Sequence, residues 1–271
     1  MRNPRSRKLP ALFMACCLCA MSFSTAFAVD LPNKKEIIAR ARQSYYNVRD
    51  QGLAGFRCEI TPNWDSLLAD TRKTDPASAD RALKNLNQIH FSMTLATDNK
   101  VQITHTAPSA ENAQQASALN QIFDGMQQMT SGFFDTANPF ILSSPFPEVN
   151  SEYQLEEQGG QYRLSYKEGD ADVVTLMNKG LVISSLNVTT PVFTSSIQPL
   201  FLENPKGLLL AGYTASYKSK TPGEDTDLSV QIIYQEIDGL QLPQKLNLAG
   251  TYGGSPFKVE VTFSGYQITR K

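Results

Sequence analysis

From Tyr153 onward the chain repeats one pattern: short runs with apolar residues at every second position, parted by brief turns. Tyr153 and Leu155 begin it, followed by Tyr162, Leu164 and Tyr166, by Val173, Thr175 and Met177, by Val182 to Val188, and by Leu208 to Tyr217. Gly159-Gly160, Glu168-Gly169-Asp170 and Asn178-Lys179-Gly180 separate the first four runs. Alternation sends successive side chains to opposite faces of a strand, and connections this short join only antiparallel neighbours. Phe257, Val259, Val261 and Phe263 continue the alternation in a long last strand. This pattern predicts a wide, curled antiparallel meander.

Two hairpins can be placed in register. A three-residue loop at Thr97-Asp98-Asn99, with Asn99 left-handed, sets Leu95 opposite Val101, Met93 opposite Ile103 and Phe91 opposite His105. A two-residue loop would split these apolar sets between faces. Near the C-terminus, a loop at Ile237-Asp238-Gly239 with Gly239 left-handed sets Leu228, Val230 and Tyr234 against Leu248, Leu246 and Leu242.

Helical spacing marks the remainder. Asn33 and Glu36 form a capping pair, and Ile37, Ile38, Ala41, Tyr45 and Val48 recur on one face up to the break at Gly52. Phe56, Cys58 and Ile60 then alternate with Arg57 and Glu59 as a half-buried strand. Two short helices follow, the second opened by Asp75-Pro76 with Ala79, Ala82, Leu83 and Leu86 on one face. After Pro108-Ser109, the segment Ala110 to Gly132 carries Leu119, Ile122, Phe123, Met126 and Met129 on one stripe, with Phe133-Phe134 directly after it. Flexible methionines and aromatics can repack around different apolar guests, so this stripe suits either a plug or a lid over a greasy cavity.

The first 28 residues read as a secretory leader: Arg2, Arg5, Arg7 and Lys8, an apolar run from Leu9 to Phe23, and Ala26-Phe27-Ala28 ahead of Val29. Cleavage after Ala28 takes four basic and no acidic residues from 25 Lys+Arg and 26 Asp+Glu, leaving 21 against 26 and a net charge of −5. An acidic exported chain lacks the basic stripe that nucleic acid requires. Cys16, Cys17 and Cys19 leave with the leader, so Cys58 stands alone and the fold depends on its core rather than on disulfides.

Residues for covalent or acid–base chemistry do not converge. His105 falls on the apolar face of its hairpin, where it packs, and His90 on the other, so the two do not share a metal. Glu168, Asp170 and Asp172, and again Glu224, Asp225 and Asp227, cluster in turns without the glycine and distal Glu of a calcium loop. Glu156 and Glu157 alternate sides of one strand, and no G-x-S-x-G elbow is present.

The order of elements resembles the periplasmic lipoprotein-carrier family typified by LolA and LolB. Val48 to Ile60 (VRDQGLAGFRCEI) is similar to that family's passage from first helix to first strand, Asn138-Pro139-Phe140-Ile141-Leu142 to a segment after its cavity strands, and Gly159 to Val188 to its succeeding hairpins. The helical segment Trp64 to Leu86 and the long meander after Leu208 depart from the family pattern. Arg57 sits near a family arginine that engages the lid, but points away from the apolar face, and that role is not carried over.

The resemblance implies an α+β domain over residues 29–271, a curved antiparallel sheet forming an incomplete β-barrel with helices in its concave face. It implies a periplasmic, non-enzymatic carrier of a lipid or of lipoprotein acyl chains. Such a carrier would be a monomer without cofactor, metal or nucleic acid, loaded or unloaded by a membrane protein. The expected lining is Phe91, Met93, Leu95, Phe123, Met126, Met129 and Phe134. An envelope sensor or protein-interaction module on the same scaffold is the alternative.

Overall fold

The computed structural model describes residues 31–107, 110 and 112–271. The leader expected at residues 1–28, the Pro108-Ser109 pair and Glu111 lie outside the described residues.

Among these residues the protein is α+β, with a twelve-stranded antiparallel sheet that is not closed and five helices. Helix α1 is Lys34–Gln43, and strand β1 is Leu53–Pro62. Three short helices follow, α2 (Trp64–Leu67), α3 (Ala69–Thr74) and α4 (Pro76–Leu86). Strands β2 (His90–Leu95) and β3 (Val101–Thr106) form a hairpin, and the long helix α5 (Ala113–Ile141) comes next. The meander then runs through β4 (Gln154–Gln158), β5 (Gln161–Glu168), β6 (Ala171–Met177), β7 (Ile183–Thr189) and β8 (Phe193–Leu202). It finishes with β9 (Leu209–Ser219), β10 (Thr226–Ile237), β11 (Leu240–Tyr252) and β12 (Ser255–Arg270). In space β4 to β12 are consecutive, β12 pairs with β1, and β2 and β3 complete the order. The sheet therefore ends at β3 on one side and at β4 on the other, the strands that α5 joins along the chain, and on β4 the Leu155 carbonyl accepts the Leu31 N–H at 3.1 Å.

The β2–β3 hairpin has the expected register. Leu95 faces Val101, Met93 faces Ile103, Phe91 faces His105, and Asn99 holds φ 64°. The β10–β11 hairpin corrects the expectation by two residues. Its loop is Asp238-Gly239 alone, with φ 52° and 77°, the mirror-image turn that matches strand twist. A bulge after Ile233 then restores phase, so that Val230 meets Leu248 and Ile232 meets Leu246.

Helix ends depart from expectation where tertiary contacts override local signals. At α1, Asn33 sits at the cap position without making a side-chain cap, and the helix stops at Gln43 rather than continuing to Val48. Leu208 takes over there: its N–H donates to Ser44 O at 2.8 Å and its carbonyl accepts from Tyr46 N–H at 2.9 Å. Between β1 and β2 there are three helices, not two; the Asp75 cap, accepting from Ser78 N–H at 3.0 Å, and Pro76 at the first position are as expected. Helix α5 begins later, capped by Asn112, and runs past Gly132 to Ile141. Burial of Phe133, Phe134, Ala137, Phe140 and Ile141 outweighs the helix cost of Gly132, and Pro139 falls in the last turn, where the distortion it brings disturbs little further helix.

Strand β8 escapes the sequence pattern. Only Ser195 and Ile197 are buried along it, and Pro199 interrupts its second half. That half pairs with β9 while β7 reaches only to Ile197, so Pro199 lies where one side of the strand is unpaired.

Candidate functional site

Helix α5 is seated unequally. From Met126 to Ile141 most of its circumference is covered: Met126, Thr130, Phe133, Phe134, Ala137, Phe140 and Ile141 are all buried. Phe134 meets Phe263 of β12 edge-on at 6.3 Å, Phe140 lies 5.9 Å from Phe201 of β8, and Thr136 shares a 2.7 Å hydrogen bond with the Tyr217 hydroxyl of β9. The preceding turns bury no residue fully; Leu119, Ile122 and Phe123 are half-buried. Their anchor is an aromatic group at the edge of the sheet. The Phe123 ring stacks on His105 at 3.3 Å and 22°, and lies 6.1 Å from Phe91.

The seven expected lining residues belong to one hydrophobic cluster. Phe91, Met93 and Leu95 form a buried row on β2, between Ile60, Cys58 and Phe56 of β1 and His105, Ile103 and Val101 of β3. Met126 and Phe134 are also buried, whereas Phe123 and Met129 are half-exposed. The side chains are closed on one another under α5. A cleft of about 450 Å³ opens beside them, between β3 and the first turns of α5, lined by His105, Thr106, Ala116, Leu119, Asn120 and Phe123. A larger, more polar cleft of about 630 Å³ lies between the β2–β3 loop and β5, where Arg42, Arg49, Asn99, Tyr166 and Glu168 meet. Both arginines there are engaged: Arg42 holds the Phe146 and Pro147 carbonyls and Glu148, and Arg49 holds the Ala54 and Ala96 carbonyls and Asn99.

Three buried hydroxyls, Thr130 Oγ1 on α5, Ser165 Oγ on β5 and Thr175 Oγ1 on β6, have no hydrogen-bond partner among the described residues. Leaving a buried hydroxyl unpaired costs about 1–3 kcal/mol. Nothing in the alternation announces them, because a threonine or serine within an apolar pattern reads as a small filler.

His105 corrects an expectation. It shares the apolar face with Phe91, as expected, but it is exposed rather than packed inside, because β3 is an edge strand. Its stack on Phe123 is absent from the sequence reading; the signal available was its register opposite Phe91, next to the stripe of α5. His90, opposite Thr106, points to the other face. Cys58 is buried and free, and burial pushes its thiol up to about 12, against a counteracting bond to Tyr266. Arg57 is exposed on the opposite face, as expected. The turn carboxylates pair with lysines: Asp172 with Lys167 at 3.1 Å, and Asp225 and Asp227 with Lys218 at 3.3 and 3.8 Å.

The chain matches no protein-family model, no curated protein and no solved structure.

Proposed function

We propose that the protein is a non-enzymatic periplasmic carrier that takes up an acyl chain, of a lipid or of an acylated protein, beneath the first half of α5. The unequal seating of that helix carries the reading. Its second half is held on most sides, while its first half meets the Phe91 end of the buried β2 row through half-exposed contacts and one ring stack. A hinge between the halves would expose an apolar trough without dismantling the remaining core. Each methylene transferred from water into that trough contributes about 0.8 kcal/mol, so an ordinary fatty chain binds tightly even after the helix contacts it displaces are subtracted. The unpaired Thr130 hydroxyl makes the closed arrangement less stable than an all-apolar seam.

In this reading the sheet is an incomplete barrel curled around α5. Phe134 and Thr136 lie two residues apart on the helix yet reach β12 and β9, which stand three places apart in the sheet. The likeness of the sequence to the LolA and LolB carriers supports the same assignment.

The decisive experiment is native mass spectrometry of the protein purified from a periplasmic extract, with organic extraction of what accompanies it. A co-purifying lipid or acylated peptide, lost in Phe123→Asp and Met126→Asp, is the expected result. A protein that carries nothing and leaves fluorescent fatty acids unbound would overturn it. The second reading, a protein-interaction module, draws on Leu200 and Leu202, 64% and 55% exposed on the half of β8 that β7 leaves unpaired.

A further inference from the structure

The two edges of the sheet are chemically unlike. The β4 edge is five residues long and carries Glu156 and Glu157, which reach Arg163 at 3.9 Å and Lys179 at 2.6 Å. Charges of this kind keep an edge from recruiting foreign strands. The β3 edge, Val-Gln-Ile-Thr-His-Thr from Val101 to Thr106, has no Asp, Glu, Lys, Arg or Pro, and four of its six residues are β-branched.

The hairpin register shows which backbone groups that edge leaves open. Ala96 N–H donates to Lys100 O at 3.0 Å, so this pair is a hydrogen-bonded one. Bonded and non-bonded pairs alternate along an antiparallel ladder. Gln102, Thr104 and Thr106 therefore turn their N–H and C=O groups to β2, and Val101, Ile103 and His105 turn theirs outward. The outward residues are also the ones whose side chains share the face covered by α5. Beside them opens the cleft lined by His105, Thr106, Leu119, Asn120 and Phe123, which leads to the Phe91 end of the buried row.

We propose that the β3 edge is a docking edge that receives, as an added antiparallel strand, an uncharged extended peptide segment of an acylated partner protein. This rests on the carrier reading: the acyl chain lies under α5 while the polypeptide attached to it pairs with Val101, Ile103 and His105 and sets one side chain in the adjoining cleft. Backbone pairing requires a polypeptide, the lack of charged side chains on the strand favours a neutral one, and continuity with the trough places it next to the acyl chain. The Glu156 and Glu157 edge of a second copy is a poorer match, since it would bring two carboxylates and their lysine and arginine partners against a neutral strand.

The test is amide hydrogen exchange by NMR on the full chain, with two probes: palmitate, and an N-palmitoylated octapeptide of alternating threonine and valine. The amides of Val101, Ile103 and His105 should exchange freely alone and with palmitate, and be protected by the octapeptide, while Gln102, Thr104 and Thr106 stay protected throughout. Ile103→Pro, which removes an outward N–H and leaves the β2 ladder intact, should weaken the octapeptide at least tenfold more than it weakens palmitate. Palmitate binding with no octapeptide protection overturns the docking edge and spares the carrier. Failure of both probes overturns both, and protection that rises with protein concentration alone assigns the edge to a second copy instead.

Discussion

The hydroxyl of Tyr45 donates to the carbonyl of Leu181 at 2.8 Å while accepting the N–H of Ile183, also at 2.8 Å. It thereby ties the residues that leave α1 to the β6–β7 turn, in which Leu181 holds φ 67°. A buried leucine adopts that left-handed conformation only where its surroundings enforce it.

Tyr45→Phe should therefore lower stability by about 2 kcal/mol, since it keeps the ring and its edge contacts with Phe146 and Phe201 but leaves two buried backbone groups unpaired. Urea unfolding should show a lower midpoint at unchanged slope. An unchanged midpoint would mean that water replaces the hydroxyl at no cost.

Gly207 and Gly125 should respond to alanine with opposite signs. Gly207 holds φ 117°, and a Cβ there would come within 2.9 Å of the backbone of Ser44, Tyr45 and Tyr46. Gly207→Ala should cost about 2 kcal/mol or more. Gly125 lies inside α5, and a Cβ there would meet nothing within 4 Å, so the same change should gain about 0.5–1 kcal/mol. Thermal melts of the two variants read the contrast directly.

The two halves of α5 should open independently. Amides of residues 117–125 are expected to exchange orders of magnitude faster than those of residues 133–141, because only the latter sit among fully buried side chains. Uniform protection along the helix would remove the hinge on which the carrier reading depends.

Stability should fall at alkaline pH. The Cys58 thiol, ordinarily near 9, is pushed up to about 12 by burial, so between these values the unfolded chain has lost a proton that the folded one retains. The folded state then loses about 1.4 kcal/mol per pH unit from this group. Buried tyrosines such as Tyr45, pushed up by the same cause, act in the same direction at higher pH. Cys58→Ala should flatten the decline above pH 9 in pH-dependent unfolding, and a native thiol that reacts with iodoacetamide at pH 8 would contradict the assignment.

The β2–β3 hairpin was legible because side-chain alternation and a left-handed Asn99 constrain register together. The β10–β11 register was not, since the two-residue turn and the bulge after Ile233 move the partners of Leu228 and Val230 by two and that of Tyr234 by one, a change alternation does not announce. For α5, Gly132 reads as an end because local propensity cannot see the burial that carries the helix on to Ile141. The candidate residues were legible as a stripe, yet periodicity is silent on whether such a stripe closes on its neighbours or lines a space. The exposure of His105 depends on β3 being an edge, which follows from strand order and not from alternation.

The pairing of β1 with β12 has a consequence for synthesis. Leu53 faces Arg270, and the Lys271 N–H reaches the Gly52 carbonyl at 3.0 Å. Strands β4 to β11 can zip to their successors as the chain lengthens, but the β1–β2–β3 unit cannot join the rest of the sheet until β12 has been made. Removing residues 267–271 should loosen the first strand rather than the last hairpin.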